Sequence, residues 1–354
     1  MSLTILSVAY PFAAVGPDSV GGAEQVLGQL DAALVAAGHR SIVVSREDSR
    51  VAGTLVAVPK RDGTIDEAAR QAAWLAHRRA IAAAIERFPV DLVHMHGIDF
   101  HRYLPPPGVP VLATLHLPPG WYPAEALRPA RPSTWLNCVS ESQQRACPPG
   151  LYLLAPIANG VDVDAFAGRH AKRRFALFLG RVCPEKGVHI AVQAARRAGV
   201  PLIVAGEVFP YEAHRRYFAE AVGPRLDRER RFIGPVGGAR KRRLIAAARC
   251  LLVPSLAPET SSLVAREALA AGTPVVAFPA GALAETIEHG RTGFLVRDAD
   301  EMAEAIRLAP GIDPARCRRT ARERFLLARM VESYLATYAA LAGRGNSPRL
   351  AGAA

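Results

Sequence analysis

The chain has 354 residues, half of them hydrophobic, which is enough to fill the cores of two domains. Its 29 Gly and 28 Pro follow no triplet period, excluding a collagen-like rod, and no run of roughly eighteen apolar residues offers a membrane-spanning helix. The formal charge of +12, from 44 Lys+Arg against 32 Asp+Glu, implies either an anionic partner or Arg-rich surface helices.

The N-terminus lacks the basic start and long apolar region of a signal peptide and reads instead as a first strand, Thr4–Val8. A cytoplasmic protein is expected. Gly21-Gly22 then precedes an amphipathic helix, Glu24 to Ala37, with Val26, Leu27, Leu30, Leu34 and Ala37 on one face. Further apolar bursts fall at Ile42–Ser45, Asp91–His94, Val111–Leu115 and Leu136–Ser140. A second series runs Ala176–Leu179, Leu202–Ala205, Leu251–Pro254, Val275–Phe278 and Phe294–Val296. Short continuous bursts separated by helical patterns imply parallel strands buried on both faces, hence two doubly wound α/β domains.

The turn formers of "APIANGVDVDAFAGRHAKRR", residues 155–174, mark the division, with a new strand from Phe175. The expected units are 1–165, 166–328, a helix at 329–341 and a flexible tail at 342–354. Five dispersed cysteines without a CxxC pair imply reduced thiols and no zinc site. No G-x-G-x-x-G follows the first strand, and "GRVCPEKG" lacks the second glycine and the Ser/Thr of a P-loop. "VDVD" at Val161–Asp164 mimics a metal-binding acid pair but reads as a linker turn, so no metal is expected.

Three places carry candidate chemistry. In "LFLGRVCPEKGV", Gly180 permits a turn after a strand, and Arg181 and Lys186 either bracket a diphosphate or remain surface cations. In "APETSSLVAREALAAGTPVV", Ser261 or Ser262 is placed to cap a helix whose free amides near Ser262, Leu263 and Val264 attract phosphate. Glu259 and Glu267 there suit sugar hydroxyls, or act as helix charges favoured by the dipole. In the first half, His94, His96 and His116 fall at strand ends, which line the ligand crevice of an open α/β sheet. His116, before a Pro-rich loop, is the one expected to touch substrate.

In this order the motifs "GGAE", "VHMHG", "TLH", "VSESQ", "IANGVDVDAF", "LGRVCPEKG", "VPSLAPETSSLVAREALAAGTPVVA" and "GRTGFLV" resemble a retaining glycosyltransferase of the GT-B fold, of glycosyltransferase family 4. The resemblance spans nearly the whole chain. It implies two Rossmann-like domains facing a central cleft, with Glu259 on the donor sugar, Glu267 on the ribose, and Arg181 and Lys186 on the diphosphate. It also implies that Gly21 and Gly22 lie near the phosphates, that backbone at Ser262–Val264 adds hydrogen bonds, and that Val236 flanks the base. His116 would lie near the reacting sugar, and a last helix from Met330 would cross back to the first domain. The chain departs from the family in having Ser261-Ser262 for Phe-Gly and Gly281-Ala282 for Gly-Gly.

The implied partners are a nucleotide-diphosphate sugar as donor substrate, no cofactor, and an acceptor that is a glycan, lipid-linked sugar or small molecule. Two other readings compete. A GT-B sugar-nucleotide epimerase would need first-domain acid/base groups, for which Asp99, His101 and His94 are the candidates. The nine Lys or Arg against two acids in 225–249 could face nucleic acid or anionic lipid. Without interleaved aromatics that run reads as a helix face; no nucleic acid is expected, and peripheral contact with an anionic inner membrane face stays open.

Overall fold

A computed structural model describes residues 2–17, 19–61, 63–168 and 170–345. Among these, one sheet is built from β1 (Thr4–Val8), β2 (Arg40–Arg46), β3 (Thr54–Val58), β4 (Leu92–Met95), β5 (Val111–Leu115), β6 (Thr134–Cys138) and β7 (Leu153–Leu154), in the order β3-β2-β1-β4-β5-β6-β7. A second holds β8 (Ala176–Leu179), β9 (Leu202–Ala205), β10 (Arg230–Phe232), β11 (Cys250–Val253), β12 (Val275–Ala277) and β13 (Gly293–Leu295), in the order β10-β9-β8-β11-β12-β13. Their pairings are parallel. Each sheet starts in the middle, winds one way and then reverses, which is the doubly wound arrangement with its switch point beside the first strand.

Helices α1 (Gly22–Ala36), α2 (Glu67–Arg87), α3 (Ala124–Leu127) and α4 (Glu141–Arg145) belong to the first sheet. The second carries α5 (Val188–Ala198), α6 (Glu212–Tyr217), α7 (Gly238–Ala247), α8 (Leu263–Ala270), α9 (Leu283–Thr286), α10 (Ala299–Leu308) and α11 (Pro314–Arg324), and α12 (Leu327–Gly345) follows. The central strands are continuously buried: Ile5, Leu6 and Val8 in β1 and Ala176, Leu177 and Phe178 in β8 have almost no exposure. That is why they read as unbroken apolar runs. Three strands carried no such run. β3 and β10 lie at sheet edges, β10 being Arg-Arg-Phe, and β7 is two residues long.

The chain passes between the sheets in the stretch from Leu154 to Ala176. There Val161 N–H donates to Phe325 O (2.8 Å) and Leu327 N–H to Val161 O (3.0 Å), so the outgoing and returning segments run side by side. A side chain on Gly160 would overlap the backbone of Leu326 and Leu327. α12 then packs on the first domain, with Tyr334 and Tyr338 fully buried and the Tyr338 hydroxyl 2.7 Å from His94 Nδ1. It starts before and ends after the helix expected at 329–341, and residues 346–354 of the expected tail lie outside the described residues. No helix among the described residues is long and apolar enough to cross a membrane.

Candidate active site

The carboxyl ends of the second sheet gather the charged residues. β8 leads into the loop carrying Arg181 and Lys186, and β11 into the loop carrying Ser255 and Glu259. Gly187 joins these loops: it sits at φ 63°, in the left-handed region, and any side chain there would overlap the carbonyl of Pro254. Lys186 Nζ lies 2.5 Å from Glu259 Oε1, which also accepts from Ser255 Oγ. The Glu259 backbone is fixed from the other side, where Ala282 N–H donates to its carbonyl at 2.8 Å. Gly281 (φ 59°) makes this approach feasible, since a Cβ would strike that same carbonyl. Burial alone would push the Glu259 carboxyl upward. The Lys186 charge, the hydrogen bonds from Lys186 and Ser255, and the field of Arg181 outweigh it and hold the group below the usual carboxylate range.

Arg181 differs from its neighbours. Its guanidinium makes no hydrogen bond or ion pair among the described residues and lies 5.8 Å from the Phe209 ring centroid. Its positive charge nonetheless reaches Glu24, Glu185 and Glu259. A forked donor held in a cleft without a protein acceptor is suited to a bidentate anion.

At the start of α8, Ser262 occupies the N-cap position but not as a capping residue. It adopts φ 53°, ψ 69°, and its hydroxyl makes no cap bond. The expectation that Ser261 or Ser262 caps the helix through its side chain is therefore corrected. Both hydroxyls are buried without a partner, and Leu263 and Val264 open the helix with its free amides. One turn on, Glu267 Oε1 pairs with Lys241 Nζ at 2.5 Å, while Oε2 is buried and unpartnered. Burial raises the Glu267 carboxyl above its ordinary value even against Lys241. Lys241 was hidden in the run "RKRR". Its signal was helical phase: positions 241, 245 and 248 share a face, and Ile245 and Ala248 are buried. Val236 is half-buried and packs against the central core.

The first domain closes the cleft. Thr260 Oγ1 donates to the His116 carbonyl (2.8 Å), bringing His116 to the Glu259 loop. A Cβ on Gly22 would stand 3.6 Å from Leu263 Cδ1, so the glycine loop abuts the α8 start. The Glu24 side chain curls over Gly21, and burial raises its carboxyl. His116 Nε2 lies 3.0 Å from His96 Nδ1, the two rings stack, and burial depresses His116 to about 3. His94 is fixed by Thr114 Oγ1 (2.7 Å) as well as Tyr338, a structural role. Tyr122 supplies a buried hydroxyl that accepts from the His116 and Leu117 amides, while Trp121 is exposed. Asp99, the acid an epimerase would need, is committed to Trp74 Nε1 (2.6 Å) and Tyr103 OH (2.7 Å).

Two doubly wound domains closing on cations, buried hydroxyls and a free helix start have the arrangement of the GT-B fold. Residues 20–165 match the family model described as Glycosyltransferase Family 4, and residues 173–309 the model described as Glycosyl transferases group 1. Each model covers one part of the chain and both describe glycosyltransferases, so the chain is a glycosyltransferase of GT-B fold. It is 29% identical over 383 residues to a glycogen synthase of Mycobacterium tuberculosis, covering 91% of this chain and 89% of that one. Its fold is similar to AviGT4, a glycosyltransferase involved in Avilamycin A biosynthesis (TM-score 0.70, 25% identity, 96% and 98% covered). It is also similar to Anabaena Alr3699/HepE, solved with UDP-glucose (TM-score 0.71, 21% identity, 96% and 100% covered).

Proposed function

We propose that the protein transfers a hexose-like sugar from a nucleotide-diphosphate sugar to an acceptor hydroxyl, with retention at the anomeric carbon and without a metal in the transfer step. The observation that supports this most is Arg181, a guanidinium without a protein acceptor beside the Lys186–Glu259 pair. In transfer, the bond from the anomeric carbon to the diphosphate oxygen breaks and negative charge grows on that oxygen. Fixed cations stabilise this charge more in the transition state than in the ground state. Arg181 and Lys186 take that role, with the Ser261 and Ser262 hydroxyls and the amides of Leu263 and Val264 adding donors. Glu259, kept ionised, accepts from the sugar hydroxyls and orients them; it is not the nucleophile. Glu267 accepts from the ribose, Gly21 and Gly22 let backbone approach the phosphates, and Val236 flanks the base. His116, kept neutral by burial, borders the sugar and takes or gives hydrogen bonds without adding charge. The acceptor hydroxyl attacks the face the diphosphate leaves and passes its proton to the departing phosphate.

Arg228, Arg231, Arg240 and Arg243 line a basic concavity of about 740 Å³ at the amino ends of the second sheet, the opposite end from Arg181. An anionic membrane face would meet the protein there. The test of the transfer reading is hydrolysis and transfer of nucleotide sugars by Lys186→Ala and Glu259→Ala, with the product anomer read by NMR. The reading expects large losses in both variants and a retained anomer. Near-normal turnover in both ends the site assignment, and an inverted product ends the retaining mechanism.

A further inference from the structure

We infer that Cys183, Glu185 and His214 form a binding site for a divalent cation of the zinc type, which ties the loop of Arg181 and Lys186 to helix α6. The three side chains each offer one ligand atom, and these atoms all lie within 4.8 Å of one another. Ligands of a tetrahedral zinc ion, bound at about 2.0–2.3 Å, stand roughly 3.3–3.8 Å apart, so closing the set needs rotamer adjustment of at most about 1.5 Å.

The surroundings favour a ligand site over a chance cluster. His214 Nδ1 is buried without a hydrogen-bond partner, and its ring is held edge-on to Tyr211 (5.1 Å) and stacked near Phe209 (6.4 Å). Cys183 is buried at the start of a one-turn 3-10 helix whose Lys186 amide donates to the Cys183 carbonyl at 3.1 Å. Leu256 N–H donates to the Glu185 carbonyl at 2.8 Å, so this ligand pair is braced against the loop that leads to Glu259. The backbone bearing Cys183 and Glu185 is thus held in place.

The donor set selects the ion. One sulfur, one imidazole nitrogen and one carboxylate oxygen suit zinc, whereas magnesium and calcium prefer oxygen alone. Three protein ligands leave a fourth tetrahedral position for water. On binding, the Cys183 thiol releases its proton to solvent and its sulfur forms the bond to the ion; nothing is oxidised or reduced. Thiolate and carboxylate then offset the ion's two charges, which allows it to sit within reach of Arg181. The ion acts on the loop's position, and the transfer chemistry proposed above does not pass through it.

The test uses the full chain, stripped with a chelator and titrated with Zn²⁺ against a chromogenic competitor. The expected result is one tight equivalent, lost in Cys183→Ser and weakened at least about tenfold in His214→Asn. Co²⁺ in place of Zn²⁺ should give a thiolate charge-transfer band that Cys183→Ser removes. Cys147→Ser, altering the thiol 3.7 Å from Cys138, should bind as the parent does. His214 is partly exposed, so its variant remains informative if Cys183→Ser fails to fold. Absence of stoichiometric zinc in the parent chain, or parent-like binding by both ligand variants, overturns the inference. None of these readouts depends on sugar transfer.

Discussion

Replacing Lys186 with Met separates the stability of the charged pair from its chemistry. The Glu259 side chain is only 10% exposed and Lys186 27%, so the variant strands a largely buried carboxylate. Removing one partner of a fully buried pair costs about 3–5 kcal/mol. Here Lys186 is still partly hydrated, Ser255 still donates to Glu259, and Arg181 still contributes its field, so the cost falls to about 1–3 kcal/mol. At about 2–4 °C per kcal/mol for a domain of this size, the melting temperature should drop by roughly 2–12 °C. The double variant Lys186→Met/Glu259→Gln removes the stranded charge and should recover most of that loss. Turnover behaves differently. One missing donor to the leaving oxygen costs about 3 kcal/mol of barrier, a drop on the order of a hundredfold, and the double variant does not restore it. Thermal melts and donor turnover on the three proteins decide the matter. Parent-like turnover in Lys186→Met, or recovery of turnover in the double variant, refutes the reasoning.

Three further outcomes follow from single observations. Burial holds His116 to about 3 and His77 to about 4, with His94 and His96 also well depressed. The unfolded chain therefore binds protons from about pH 6.5 downward that the folded chain refuses, so stability is complete above that pH and falls on acidification toward the folded values. The slope is up to about 1.4 kcal/mol per pH unit for each histidine, and a melting temperature that stays flat between pH 7.5 and 5 would contradict it. Tyr338→Phe leaves His94 Nδ1 buried without its partner and should cost about 1–3 kcal/mol, read by melting; no change would deny α12 its anchoring role. Ser262→Gly relieves a left-handed serine, worth up to about 1 kcal/mol of stability, while removing a hydroxyl from the phosphate site. A raised melting temperature with weakened nucleotide affinity is expected, and unchanged affinity speaks against the hydroxyl's role.

Much of the architecture was readable because parallel strands covered on both faces must be apolar throughout. β1, β5, β8 and β9 have the bounds that their apolar runs mark. β3, β7 and β10 were not readable, since an exposed or very short edge strand needs no apolar run. Which side chains meet was legible where they sit at strand ends, as for Arg181, Lys186, Glu259 and His116. It was illegible where tertiary placement decides the role. Lys241 looks like its arginine neighbours in "RKRR" until helix rotation turns it toward Glu267, and nothing in the sequence marks the Glu24 carboxylate as buried. Ser262 carries no local sign of its left-handed backbone. Cys183 and His214 are brought together from separate βα units, a proximity no spacing rule records.

The most direct measurement is calorimetric titration of UDP, GDP, ADP and TDP, each beside its monophosphate, into the parent chain and Arg181→Ala. The account predicts that one diphosphate binds well above its monophosphate in the parent, and that Arg181→Ala erases the difference. Equal binding of diphosphate and monophosphate, or a preference that survives the loss of Arg181, would contradict it.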